Sequence, residues 1–350
     1  MSNLGWTVLH ALWQVTAIGG AAAACLACLR RARPDVRGRV AWAALVLMAL
    51  VPAVTACLGE TSLGWQMRRA VTIGADARVG FAALVETMPT VARDAAFVWI
   101  AGVTVTFAHL LVSYVRARRL ARHDTTPVEP AFTLMARTLA EAMQVRRPVD
   151  VRYSSRVSGP LVLGWRTPQI LLPRTAVTAL TAPQLRGIVT HELAHVKRGD
   201  YAANLLQETL GRLLFFHPAA WWVSARIREE REYCCDDAAV DLGRDAAGYA
   251  HALAALEDVR DGRHLAVAAT SATLLQRIQR LAGRSRRGLT PLAGLLVLGM
   301  TWMLAAVMFG LLITAPPSLP PGSKLRRRQP PPAGRVLPGP RGAPRASSGG

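Results

Sequence analysis

Residues 1–29, 40–59, 95–115 and 288–323 form four stretches without a single Asp, Glu, Lys or Arg. Each is long enough to cross a bilayer as a helix, which takes about 20 residues. The last stretch ends in a proline-rich run, so its spanning part is placed at residues 290–314. Four uninterrupted apolar runs of this length are hard to account for as buried helices of a soluble core. The pattern therefore predicts about four transmembrane helices. Residues 116–287 are the one polar segment large enough to fold as a domain, and residues 60–94 join the second and third runs.

The flanks orient these spans. No basic residue precedes the first apolar run, while Arg30, Arg31 and Arg33 follow it, so it reads as a retained helix and not a secretory signal. The loop to the second run adds Arg37 and Arg39 against Asp35 alone, and Arg116, Arg118, Arg119 and Arg122 follow the third. Residues 60–94 balance four arginines against four acids. Positive-inside counting puts the N-terminus and the 60–94 loop outside, and residues 116–287 in the cytoplasm. The fourth span then runs outward, with Arg284, Arg286 and Arg287 on its inner flank against Lys324, Arg326, Arg327 and Arg328 on its outer one. Residues 315–350, rich in Pro, Gly and Arg, are expected to be a disordered tail.

Composition agrees with this picture. The chain is 51% hydrophobic and only 18% charged, below the quarter usual in soluble domains, and too apolar for a disordered chain. Five cysteines exclude a disulfide scaffold. Its 42 Lys+Arg against 22 Asp+Glu would also suit a nucleic-acid binder. Position decides against that: residues 116–287 hold 26 of the bases and 17 of the acids, with no nucleic-acid module signature. The excess reads as topology and headgroup contact, so the lipid bilayer is the expected partner and nucleic acid is not.

Within the polar segment, the apolar runs 160–165 and 169–173, bounded by Gly and Pro, signal a β hairpin. Thr181 with Gln184 three residues on forms a capping box, with Pro183 just inside the helix it opens. That helix should run to Arg198 and stop at Gly199. Asp200 can cap a second helix to about Phe216, and Pro218 can begin a third that continues through Asp241, with His217 near its cap.

The first of these helices carries His191, Glu192, Leu193, Ala194 and His195. Spacing of i and i+4 puts both imidazoles on one face, where they can share one Zn²⁺, with Glu192 to the side in reach of a metal-bound water. Eight His in 350 residues make such a match rare by chance, with ~0.005 expected. A hydrolytic zinc site needs a third protein ligand, and the third helix offers Glu232. Asp236 lies four residues further on the same face, placed to take the other N–H of a ligating histidine. A Cys/His structural zinc site is the rival. Cys234 and Cys235 are adjacent and point about 100° apart on a helix, so both cannot reach one ion, and packing is expected for them. Cys25 and Cys28 lie in an apolar run and are read the same way, with no disulfide.

Three segments together resemble the BlaR/MecR-type membrane zinc peptidases, the antirepressor family of beta-lactam sensing. They are residues 191–200, residues 216–222 (Phe-His-Pro-Ala-Ala-Trp-Trp) and residues 231–238. Residues 158–165 and 169–173 are similar too, as is the layout of spans. The resemblance implies His191, His195 and Glu232 as ligands of one zinc per chain and Glu192 as catalytic base. It implies a mainly α membrane protein whose cytoplasmic α+β domain pairs gluzincin-like helices with a small β hairpin. It further implies cleavage of a cytoplasmic winged-helix transcriptional repressor, or of the chain itself, at a bacterial plasma membrane. Well-known members carry an extracytoplasmic penicillin-binding domain after the last span, where this sequence has only its short tail, so a different input signal is expected.

In the reaction expected of such a site, Glu192 takes the proton of the attacking water and delivers it to the leaving amine. An oxyanion donor is also required. His217, Tyr249 and His251 are candidates, with a helix-cap role competing for His217. Extended substrate could add to the edge of the 160–173 hairpin, for which Leu171 is the test position. The run 213–223, too short to span, is expected either at the membrane surface through its two Trp or packed against the zinc helices. Two other functions stay open: a quality-control or prenyl-processing membrane protease, and a non-catalytic sensor or scaffold. An adjacent repressor gene would favour the regulatory reading over the first. Retained output in a Glu192→Gln variant would favour the second. A homodimer is also left open.

Overall fold

The computed structural model describes residues 2–57, 78–123, 125–261 and 267–283. The expected fourth span, the tail, and residues 58–77 of the second linking region lie outside the described residues. The chain is mainly helical. It opens with α1 (Ser2–Cys28), α2 (Pro34–Cys57) and α3 (Arg78–His123). Three described helical stretches are apolar and long enough to cross a membrane: Leu4–Cys28, Pro34–Cys57 and Thr90–His123. α3 begins at Arg78, so part of the 60–94 region expected as a loop is helix.

Helices α1 and α2 pack through residues at helical spacing. Ala11, Val15, Ile18, Ala22 and Cys25 meet Val40, Ala44, Leu45, Met48 and Val51. The same core takes in Leu214, Ala220, Val223 and Ile227 from the polar segment. The domain and the apolar helices therefore share one core, where the sequence suggests separate units. Gly19 makes this closeness possible, since a Cβ there would stand 2.7 Å from the Ala219 methyl. Leu213 also accepts, at its carbonyl, a hydrogen bond from the Trp99 indole at 3.0 Å. In the 213–223 run, Trp221 and Trp222 are exposed while Leu214, Ala220 and Val223 are buried among α1 and α2.

The sheet is larger than the expected hairpin. β1 (Thr126–Pro127) leads into α4 (Pro130–Ala142), then come β2 (Asp150–Ser154), β3 (Leu161–Leu163) and β4 (Gln169–Pro173). Their order is β1-β2-β4-β3. β3 and β4 form the antiparallel hairpin, and β2 pairs with β4 in parallel, Asp150 opposite Gln169 through Ser154 opposite Pro173. Leu171 therefore sits on an interior strand, paired on both sides and fully buried. It cannot offer an edge to substrate, and β3 is the edge strand at that end of the described sheet.

The remaining helices are α5 (Arg174–Ala179), α6 (Ala182–Arg198), α7 (Asp200–Leu213), α8 (Pro218–Gly243), α9 (Ala246–Asp261) and α10 (Val267–Ala282). α6 begins and ends where its caps dictate. The Thr181 N–H donates to Gln184 Oε1 at 2.9 Å, and Gly199 closes the helix at φ 72°, a left-handed value that favours glycine. α6 is sandwiched: Val189, Leu193 and Ala194 pack on Ile170 and Leu172 of the sheet and on Cys235 of α8. Its other flank, Leu185 and Ile188, packs on Tyr249, Ala252 and Leu253 of α9 and Leu281 of α10.

Candidate metal centre

Burial of the apolar flanks of α6 leaves His191 and His195, one turn apart, facing α8. Their Nε2 atoms are 3.2 Å apart. Glu232 comes across from α8, with Oε2 3.5 Å from His191 Nε2 and Oε1 3.8 Å from His195 Nε2. The three side chains offer ligand atoms within 4.8 Å of one another. Bonds of about 2.1 Å to a tetrahedral zinc set its ligand atoms about 3.4 Å apart, so this donor set fits such an ion without rearrangement.

Each imidazole is anchored on its other nitrogen. His195 Nδ1–H donates to Asp200 Oδ2 at 2.8 Å, and Cys235 Sγ lies 3.3 Å from the same nitrogen. Burial holds the Cys235 thiol well above its ordinary value, so it stays neutral there. His191 Nδ1 lies 2.8 Å from the Tyr249 hydroxyl and 3.3 Å from Asp236 Oδ1. Tyr249 donates to Asp236 Oδ1 at 2.8 Å, which leaves its oxygen to accept the Nδ1–H of His191. With those partners each Nδ1 can carry a proton, which leaves Nε2 to present a lone pair to a bound cation.

The field at this point is strongly negative. Burial lowers His191, but the Asp236 and Glu232 carboxylates outweigh it and leave the imidazole raised to about 9. Burial would lift Glu232, yet its hydrogen bond to His191 and the charges of His191 and Arg277 bring it down to about 2. Asp236 is likewise held well below the carboxylate range, against its burial, by His191 and Arg277. An arrangement that grips a proton between imidazole and carboxylates this firmly also favours a divalent cation in the proton's place.

A cleft of about 420 Å³ opens onto these atoms. Glu192 lines it, and Gly159, Pro160, Leu161 and Val162 bring the edge strand β3 to its rim. The structure thus gathers His191, Glu192, His195, Glu232 and Asp236 into one place. It does not bring the three expected oxyanion donors to the cleft. His217 caps α8 by accepting from the Ala219 N–H at 3.2 Å and turns its Nε2 to the Leu12 carbonyl of α1 at 3.0 Å. Tyr249 is buried behind His191, on its Nδ1 side. His251 is exposed on α9, away from the cleft lining. Side chains that do offer donors there are Tyr201, Asn204 and Arg231, the last anchored by donating to Asn204 Oδ1 at 3.1 Å.

Sequence reasoning missed two participants. Asp200 reads as a cap, yet the left-handed turn at Gly199 swings it back onto His195, a signal contained in the Gly-Asp pair itself. Arg277 on α10 grips Asp236 from 41 residues away, and nothing local announces it.

A family described as BlaR1 peptidase M56 matches residues 28–281. The chain is 27% identical over 145 residues to the regulatory protein BlaR1 of Bacillus licheniformis, covering 41% of this chain and 24% of that protein. It is 30% identical over 91 residues to the methicillin resistance mecR1 protein of Staphylococcus aureus, covering 26% of this chain and 16% of that protein. A match of the same extent is found to the mecR1 protein of Staphylococcus epidermidis. These matches span a quarter or less of each relative's length.

Proposed function

The chain belongs to the BlaR1 peptidase M56 family, and from that premise we propose that it is a membrane-embedded zinc metalloendopeptidase. It cleaves a cytoplasmic protein, a winged-helix transcriptional repressor or the chain itself, in signal-dependent gene regulation. The observation that carries this reading is the convergence of His191 Nε2, His195 Nε2 and a Glu232 carboxylate on one point, with Glu192 beside it in an open cleft.

His191, His195 and Glu232 hold one zinc per chain in this account. The ion supplies Lewis acidity that polarises a scissile carbonyl and makes water nucleophilic at neutral pH. Glu192 accepts the proton of the attacking water and passes it to the leaving amine. Asp200 and the Tyr249–Asp236 pair keep both imidazoles in the tautomer that presents Nε2. The β3 edge gives an extended substrate backbone a strand to pair with at the rim of the cleft.

The packing of α8 supports a cytoplasmic site close to the bilayer of a bacterial plasma membrane. Its first turn, at His217, touches Leu12 and Thr16, half-way along α1. Thirteen residues later, about 20 Å along a helix, Glu230 pairs with Arg37 at the Arg-rich start of α2. With α1, α2 and α3 as spans and a fourth at residues 290–314, the α7–α8 turn sits within the bilayer and Glu232 emerges at its inner face.

Comparing protein N-termini between cells carrying the wild type and cells carrying Glu192→Gln tests the reading. A cytoplasmic protein, or this chain, cut only in the wild-type cells is the expected result. Identical N-termini under every stimulus applied would contradict it.

A further inference from the structure

Two carboxylates, Glu232 and Asp236, stand on the ligand face of α8, and one cation holds both. Arg277 of α10 donates from Nε to Asp236 Oδ2 at 2.9 Å and from Nη2 to Asp236 Oδ1 at 2.5 Å. Its remaining nitrogen, Nη1, lies 3.4 Å from Glu232 Oε2. That oxygen is the one 3.5 Å from His191 Nε2. A single guanidinium therefore reaches the carboxylate that faces both histidines and the carboxylate behind one of them.

We propose that Arg277 is a positioning residue for the metal centre: its fork fixes the Glu232 carboxylate in ligating orientation and holds Asp236 against His191. The proposal rests on the metal site described above and adds to it a residue that touches no metal. Physical necessity favours it. Glu232 and Asp236 are neighbours at i, i+4 on one helix, where like charges repel. Asp236 is fully buried and Arg277 mostly so, so each would be costly to leave unpaired. A lysine could neutralise the pair but could not span both carboxylates with a planar fork.

Simple docking of α10 does not account for the geometry, because a second arginine already does that work. Arg280, one turn on, donates from Nη2 to both Asp237 oxygens at 2.8 Å and lies 4.7 Å over the Tyr233 ring. It clamps α10 to α8 through Asp237 and Tyr233. Arg280→Gln is therefore the control for anything that merely loosens the helix.

The test measures zinc affinity of the full chain in detergent by competition with a chromogenic chelator, together with the visible spectrum of the cobalt-substituted protein. Arg277→Gln should bind zinc about 10- to 100-fold more weakly, the range found when groups that orient ligands are removed, and should shift the cobalt bands. Arg280→Gln should stay within about threefold of wild type with an unchanged spectrum, and Arg277→Lys should fall between the two. Arg277→Gln within threefold of wild type, or an equal loss in Arg280→Gln, overturns the inference. Should Arg277→Gln lose its helical circular dichroism, Arg277→Lys decides: weakened zinc with shifted bands supports the inference, and wild-type behaviour overturns it. Absence of zinc from the wild type, or its retention by His191→Ala, overturns the site and the inference together. An intact wild-type site with an unaffected Arg277 variant overturns the inference alone.

Discussion

Helix α8 passes through two environments, and two of its glutamates, Glu230 and Glu232, report the contrast. The half from Pro218 to Ile227 gives Ala220, Val223 and Ile227 to a core shared with α1 and α2, where apolar contact is the main source of stability. From Glu232 onward the facing partners are the imidazoles and arginines of α6 and α10. Glu230 is pushed up to about 7, chiefly by burial that Arg37 only partly offsets. Glu232 is brought down to about 2 because His191 and Arg277 outweigh its burial. Position along one helix thus decides whether a carboxylate is a cost to the fold or a poised ligand. The first half is anchored by shape, and the second by charge together with the apolar contacts of Cys235, Ala239 and Val240.

Substitutions can pull the two halves apart. The largest expected effect is on turnover alone: Glu192→Gln should lower peptide hydrolysis about 10²- to 10⁴-fold while zinc content, read by atomic absorption, stays at wild-type level. Loss of zinc in that variant would mean Glu192 is structural. Ile227→Ala, at a fully buried position of the shared core, should cost about 2–5 kcal/mol in unfolding while zinc affinity is retained in the folded fraction. Zinc loss at equal helicity would show that the halves are not separable.

Glu230 predicts a pH dependence whose sign follows from its raised value. The folded chain holds this proton up to about 7 and the unfolded chain releases it near 4.5, so folding binds a proton between those limits. Stability is therefore highest below that window and declines as pH rises through it, by up to ~3 kcal/mol. Glu230→Gln should flatten the difference between thermal midpoints measured at pH 5 and pH 8. An unchanged slope would place the titration elsewhere. The smallest effect in free energy is at Asp236→Asn, where zinc affinity should fall about 10- to 100-fold, because His191 loses its carboxylate anchor and Arg277 its partner. Unaltered affinity there would leave Tyr249 as sufficient support for His191.

What the sequence makes legible follows the range of the interactions. The ends of α6 are set by Thr181, Gln184 and Gly199 within a few residues, so local rules find them. The histidine pair and the Glu232–Asp236 pair are read from helical period, and the β3–β4 hairpin from its bounding Gly and Pro. β2 escapes notice because its stability comes from parallel pairing with β4 across an intervening strand, not from its own pattern. Leu171 looks like an edge residue for the same reason, and the sheet order makes it interior. Tyr249 is expected from the sequence as an oxyanion donor, and only the packing of α9 on α6 shows that it meets His191 on its Nδ1 side. Arg277 and the burial of the α7–α8 turn among α1 and α2 depend wholly on tertiary contacts and leave no mark in spacing.

The proposed activity requires that His191, His195 and Glu232 hold a zinc ion beside a proton carrier, Glu192, and that this assembly cuts peptide bonds. It is tested most directly by measuring zinc content and hydrolysis of a proteome-derived peptide library on the same detergent preparations of wild type, Glu192→Gln and His195→Ala. One zinc per chain with cleavage is expected in the wild type, one zinc without cleavage in Glu192→Gln, and neither in His195→Ala. Cleavage by Glu192→Gln at the wild-type rate, or a full complement of zinc in His195→Ala, would contradict it.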